Sequence, residues 1–243
     1  LLQQGQAWPT SSAYIRLIAP LTTDVAHMDV EVVQLRGVED PAIDSIDRCI
    51  VQRIAVPEMD QAEELLARLG KRNVPLFVDT DDAFFFHESY RVQDTVLRHL
   101  MKNAQECWFS TPVLATYYDD IPCTKRIMPN ALDPRFWRNY RKPADTAFSN
   151  ERLQFLYMGT VTHDEDFDLV YPALKELAAR HPDRFDLTVV GAVRKLPNEP
   201  WIHRLSPPAG QGSYPKFVRW LMANNGFDVG IAPLQDTPFN RAK

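Results

Sequence analysis

The sequence is short of glycine, short of cysteine, free of long apolar runs and without an excess of positive charge. Only 9 glycines stand against 19 prolines in 243 residues, which points to rigid loops between ordered elements rather than to disorder. The three cysteines, Cys49, Cys107 and Cys123, are odd in number and far apart. That excludes a disulfide framework and a zinc site and fits reduced core thiols, hence a cytoplasmic address. No apolar run approaches the roughly 20 residues of a membrane-spanning helix, and the first residues lack the basic-then-apolar order of a signal peptide. A formal net charge of -5 excludes a general nucleic-acid surface, because such surfaces need clustered Lys and Arg to displace counterions from phosphate. Internal repeats and low-complexity tracts are also missing.

What remains is an ordinary globular composition, 45% hydrophobic and 24% charged, long enough for one large domain or two modest ones. The most informative stretch runs from Leu153 to Gly191. An apolar run, Phe155–Met158, breaks at Gly159–Thr160. An acidic turn carrying His163, Asp164, Glu165 and Asp166 follows. Helical spacing then extends through Phe167, Val170, Leu174 and Leu177, and a second apolar run, Leu187–Val190, ends at Gly191. This is a βαβ unit with its loops at the carboxyl ends of parallel strands, where open α/β sheets bind ligands.

Before that unit, short apolar runs alternate with helical patterns. Ser11 or Ser12 is placed to cap a helix over Tyr14–Ala19, in a small-residue loop that reads either as a strand-to-helix turn or as a ligand entrance. Val30–Leu35 and Cys49–Ile54 read as strands, and Arg53 as a surface charge or a ligand contact. Met59–Leu69 is helical and stops at Gly70. Pro75–Val78 is a strand leading into Asp79–Thr80–Asp81–Asp82, where three carboxylates repel one another unless a partner or a task compensates them. The aromatic run Phe84–Phe86 beside them suggests a partly covered wall. Tyr90–Asn103 is a helix with Val92, Val96, Leu97 and Leu100 inward. Glu106–Phe109 is a strand, Thr111–Pro112 opens a helix, and Lys125–Met128 is a further strand.

The polar segment Arg138–Asn150 marks the domain boundary, dividing an α/β domain at residues 1–140 from a second at 141–243. In the second, Trp201–Leu205 reads as a strand, Tyr214–Asn224 as a helix with Phe217, Val218 and Leu221 inward, and Phe227–Ala232 as a strand trailed by a loop. Four loops offer themselves to a ligand: Gly159–Asp164, Gly191–Lys195, Ser206–Ser213 and Gln235–Lys243. A glycine after a strand lets a ligand approach the backbone, yet acids at the next helix start compete with a phosphate for the same dipole. Positive charge must then come from His163, Arg194, Lys195, Arg241 or Lys243. His163 itself reads as a structural hydrogen-bonding histidine or as a catalyst. Both ends of the sequence read as cut, the second domain being incomplete.

The succession FVDTDDAFF, CWFSTPVLATYY, IMPNALDPRFW, LQFLYMGTVTHDEDFDLVYPALKEL, LTVVGA and FDVGIAPLQDTPFNRAK resembles, over nearly the whole chain, the glycosyltransferases of the GT-B fold in the family 4 style (glycosyl transferase group 1). The resemblance implies two Rossmann-like domains facing a cleft, a nucleotide-sugar donor held by the second and a glycan or lipid-linked acceptor by the first. It implies transfer with retention, no metal and no cofactor beyond the nucleotide-sugar co-substrate. A place at the inner face of a membrane, held peripherally, is compatible with such an acceptor. Carried over by residue, Gly159 and Thr160 match the diphosphate turn and Gly191 the glycine after the next strand. Asp81 and Asp82 stand where relatives have a His–Asp pair, Pro129–Asn130 matches the dipeptide leading to the linker, and Asn240–Lys243 opens a donor-binding loop.

The Arg and Lys that follow the diphosphate-turn glycine in relatives are replaced here by Thr160 and His163–Asp164. The expected transfer site is therefore Asp81, Asp82 and His163. Donor contacts are expected from Gly159, Thr160, Asp164, Gly191, Arg194, Lys195, Asn240 and Lys243, and acceptor-side contacts from Ser11, Ser12 and Asp79. Two other readings stay open. One is a binding module for a nucleotide-sugar or glycan without catalysis. The other is a haloacid-dehalogenase-like phosphatase using Asp79 as nucleophile and Asp81 as acid/base; the metal-binding DxD of single-domain transferases leaves the later βαβ unit unexplained.

Overall fold

A computed structural model describes residues 9–22, 30–86, 88–137, 152–160, 164–191, 193–210, 212–224 and 226–243. The chain forms two compact units, the first comprising Leu1–Asp133 with Thr237–Lys243 and the second Pro134–Asp236.

The first unit is built on a four-stranded parallel sheet in the order β1-β2-β3-β4, with β1 at Cys49–Gln52, β2 at Leu76–Thr80, β3 at Glu106–Phe109 and β4 at Thr124–Ile127. The register sets Gln52 beside Asp79 and Asp79 beside Trp108. The crossovers are helical. Met59–Lys71 buries Ala62, Leu65 and Leu69 at the spacing that puts one face on the sheet. Arg91–Lys102 buries Val96, Leu97, Leu100 and Met101. Each fully buried leucine contributes roughly 1.5–3 kcal/mol of transfer free energy. Thr111 caps Pro112–Thr116 by accepting from Leu114 N–H, as the Thr-Pro start signal predicts.

Three local expectations change. Val30–Leu35 forms no strand: Val30, Val32 and Val33 are 42%, 38% and 44% exposed, and only Leu35 enters the core. β-branched composition suits a strand, but a strand needs a neighbouring edge to bond, and among the described residues this segment pairs with none. Val92 is exposed although it shares a helical face with Val96, and the residue of the first turn that is buried is Asp94, bonded by Arg98 and Tyr118. The cap at residues 11–21 is Thr10, whose hydroxyl accepts from Ala13 N–H at 3.1 Å, rather than Ser11 or Ser12.

The second unit holds another four-stranded parallel sheet, in the order β7-β6-β5-β8. Here β5 is Leu153–Gly159, β6 Phe185–Gly191, β7 Ile202–Leu205 and β8 Val229–Ile231. The expected βαβ unit is present, β5 and β6 being parallel neighbours joined through helices Asp164–Phe167 and Tyr171–Arg180. Its core gathers Tyr157, Phe167, Leu187, Val189 and Trp201. Tyr214–Ala223 buries Tyr214, Val218 and Leu221. The stretch after β8, expected as a plain loop, contains a helical turn at Pro238–Arg241 capped by Thr237.

Candidate functional site

At the carboxyl ends of β1 and β2 two arginines divide three aspartates between them. Arg16 lies in Tyr14–Ile18, a π-helical stretch of the helix at residues 11–21, a widened turn of the kind that recurs at functional sites. Both its side chain and that of Asp79 are almost wholly buried, at 2% and 0% exposure. Arg16 Nε donates to Asp79 at 2.9–3.0 Å and Nη2 to Asp79 Oδ1 at 2.5 Å. Its remaining edge reaches the main-chain oxygen of Met128 and Asn130 Oδ1, each at 2.8 Å. Asp79 therefore sits beneath the surface in the service of Arg16. Burial pushes its carboxyl above the ordinary 3.8, against the pull of the guanidinium.

Arg53 follows β1 with φ 58°, and its N–H donates to the main-chain oxygen of Asp79 at 2.8 Å. Its guanidinium donates to Ser12 Oγ at 2.9 Å and Asp82 Oδ2 at 2.6 Å, lies 3.5 Å from Asp81 Oδ1, and covers the Phe84 ring at 4.8 Å. Thr80 Oγ1 and Ser110 Oγ, donating to the main-chain oxygens of Asp82 and Asp81, fix the bend that carries the two acids. Of the residues expected on this side, the structure thus gathers Ser12, Asp79, Asp81 and Asp82, while Ser11 is exposed.

Arg53 Nε and Asp81 Oδ1, both buried, face each other as an ion pair at 3.5 Å without a hydrogen bond, and the Gln52 side chain adds a hydrogen bond to the Asp79 carboxylate. Clustered acids and arginines at the carboxyl ends of parallel strands are a place suited to polar chemistry. Sequence reasoning missed Arg16 altogether. The available signal was an arginine among apolar helical neighbours, YIRLI, which needs a buried carboxylate if that helix packs inward.

In the second unit Gly159 and Gly191 are in register at the carboxyl ends of β5 and β6. Gly191 has φ 67°, and a Cβ there would lie 2.4 Å from the Gly159 main-chain oxygen. The position therefore admits only glycine, and it presents exposed backbone beside exposed Thr160. His163 lies outside the described residues; Asp164 begins the helical turn Asp164–Phe167, its side chain also outside them. Asp166 is 3% exposed and accepts from Gln235 N–H at 2.7 Å, while Gln235 Nε2 donates to the Glu165 main-chain oxygen at 2.8 Å. One acid of the turn thus fastens the loop after β8 instead of facing a phosphate. Arg194 and Lys195 form an exposed bend shortly after Gly191.

Asn240 and Lys243 belong to the segment counted with the first unit. There Asn240 N–H donates to Thr237 Oγ1 at 3.1 Å, Lys243 Nζ lies 4.6 Å from the Phe239 ring centre, and Thr111 Oγ1 donates to the Ala242 main-chain oxygen at 2.6 Å. Among the described residues no group of three or more His, Cys, Asp or Glu side chains could hold a metal ion, and no helix is long and apolar enough to cross a membrane.

Among solved structures, that titled "OtsA apo structure" matches with a TM-score of 0.50 and 13% identity, covering 78% of this chain and 52% of that one. OtsA is a glycosyltransferase of the GT-B fold. The fold of this chain is GT-B-like. Two parallel sheets with their helices make up its two Rossmann-type domains. The likeness reaches that fold and no particular family within it, and the chain spans about half the length of the OtsA structure. No protein-family model matches the chain, and neither does any curated protein.

Proposed function

We propose that this chain serves a glycosyltransferase that moves a sugar from a nucleotide-sugar to a glycan or lipid-linked acceptor, with retention and without a metal. The observation that carries the reading is the cluster of Arg53, Asp81 and Asp82 at the ends of β1 and β2, on a GT-B-like fold. Sugar hydroxyls donate and accept at once and suit a site that sets the partly exposed Arg53 guanidinium beside the Asp81 and Asp82 carboxylates. In the second unit the ledge formed by Gly159, Thr160 and Gly191 receives the diphosphate. Arg194 and Lys195, joined by His163, supply the charge that stabilises the leaving group, and Asp164 completes the donor contacts of this unit.

The burial of Asp79 and its bonds to Arg16 weigh against a phosphatase nucleophile, which must face its substrate. The replacement of the Arg and Lys that follow the diphosphate-turn glycine by Thr160 and His163–Asp164 favours a second reading, a module that binds a nucleotide-sugar without transfer. A thermal-shift screen against UDP-, GDP-, ADP- and CMP-sugars tests what the two readings share. A ligand at a hundredfold excess over its Kd stabilises the fold by about 2.7 kcal/mol, so one of the four should raise the midpoint saturably. A flat response to all four removes both readings.

A further inference from the structure

We propose that Arg53 is a positioning residue that sets Asp81 and Asp82 to different tasks; this deepens the transferase reading and rests on it. The backbone gives the first reason. Arg53 occupies the left-handed region at φ 58°, which L-residues avoid unless the surroundings impose it and which clusters at functional sites. The bond from its N–H to the Asp79 main-chain oxygen at 2.8 Å holds it there, so the side chain leaves the line of β1 and crosses the end of β2.

The guanidinium then treats the two acids unequally. Stacking on Phe84 at 4.8 Å fixes its plane. Nη1 is spent on Ser12 and Nη2 on Asp82, at 2.9 and 2.6 Å. Nε lies 3.5 Å from Asp81 Oδ1, an ion-pair contact without a hydrogen bond. Asp82 is anchored and neutralised. Asp81 feels the same cation at 3.5 Å without a hydrogen bond, so it is held less tightly than Asp82 and turns more readily to accept from a substrate hydroxyl. Asp82 therefore holds Arg53 in place, and Asp81 is the acid that meets substrate. A lysine, one point charge without a fork, cannot make this division.

The test uses the full chain carrying Arg53→Lys, Arg53→Met, Asp81→Asn and Asp82→Asn, singly and in pairs. The probes are UDP-glucose, GDP-mannose and ADP-glucose, water taking the sugar in place of the acceptor, and the readout is released nucleoside diphosphate. Misplacement of a reacting group costs about 100-fold, so Arg53→Lys should lower kcat by that order with the donor KM unchanged, a split that general loosening of the fold does not give. Asp82→Asn should cost little more once Arg53 is Lys, whereas Asp81→Asn should lower kcat in either background. An Arg53→Lys variant with wild-type kcat, or full additivity of Arg53→Lys with Asp82→Asn, overturns the proposal.

If the wild type turns over none of the three donors, the transferase reading fails and thermal midpoints still decide the division of contacts. Arg53→Met should then couple more strongly to Asp82→Asn than to Asp81→Asn, the tighter contact giving the larger departure from additivity. The reverse pattern overturns the assignment.

Discussion

Asp79, Asp81 and Asp82 are one residue type with three fates, decided by what each meets at the end of β2. Asp79 is enclosed with Arg16, Asp82 is pinned by Arg53 through a hydrogen bond, and Asp81 meets the same guanidinium in a looser contact at 3.5 Å. Gly191 is as specific: Gly191→Ala must place a Cβ 2.4 Å from a main-chain oxygen at positive φ. We expect a loss of about 2 kcal/mol or more in denaturant unfolding, whereas Gly210, also at positive φ but with open space around it, should lose less on the same change. The thiols give another check. Cys49 and Cys107 are buried, and burial pushes the Cys49 thiol up to about 11. In the native protein at neutral pH, thiol reagents should therefore modify half-buried Cys123 quickly and the other two only on unfolding. Glycine after a strand was legible in the sequence because its signal is local. Arg16 was not, because its partner Asp79 lies 63 residues away.

The helix at residues 11–21, β2 and the stretch after β4 are tied through Arg16. Removing one partner of a buried ion pair leaves an unpaired charge, so Arg16→Leu should cost about 3–5 kcal/mol in urea unfolding. Adding Asp79→Leu should restore much of it, since no buried charge is then left over. The sign with pH follows from the raised folded pKa of Asp79. Its contribution to stability is fully present below the ordinary 3.8 and is lost as pH rises through the folded value. Without Arg16 the folded value rises further, so the Arg16→Leu penalty should be smaller in mild acid than at neutral pH; an equal penalty at both would remove Asp79 ionisation as its cause. Elements with an internal period, such as Arg91–Lys102 and the pair β5 and β6, were readable from sequence. Val30–Leu35 was misread because strand formation depends on a neighbour that no local pattern encodes.

At the scale of the whole molecule, the chain leaves the first unit at Pro134 and returns to it at Thr237. A linear reading that divides the chain once does not capture that return, because it rests on contacts such as Thr111 with Ala242, 131 residues apart. The two-sheet α/β architecture was legible, since alternating apolar runs and helical patterns admit few other arrangements. Both sheets direct their unusual residues, the acid and arginine cluster in one and the glycine pair in the other, to the carboxyl ends of their strands, where such folds act on ligands. The measurement that bears most directly on this account is incubation of the protein with each nucleotide-sugar, water taking the sugar in place of the acceptor, and quantification of freed nucleotide, wild type beside Asp81→Asn. We expect one donor to be turned over by the wild type, with Asp81→Asn slowed about 100-fold or more; no release from any donor, or equal release by the two proteins, would contradict it.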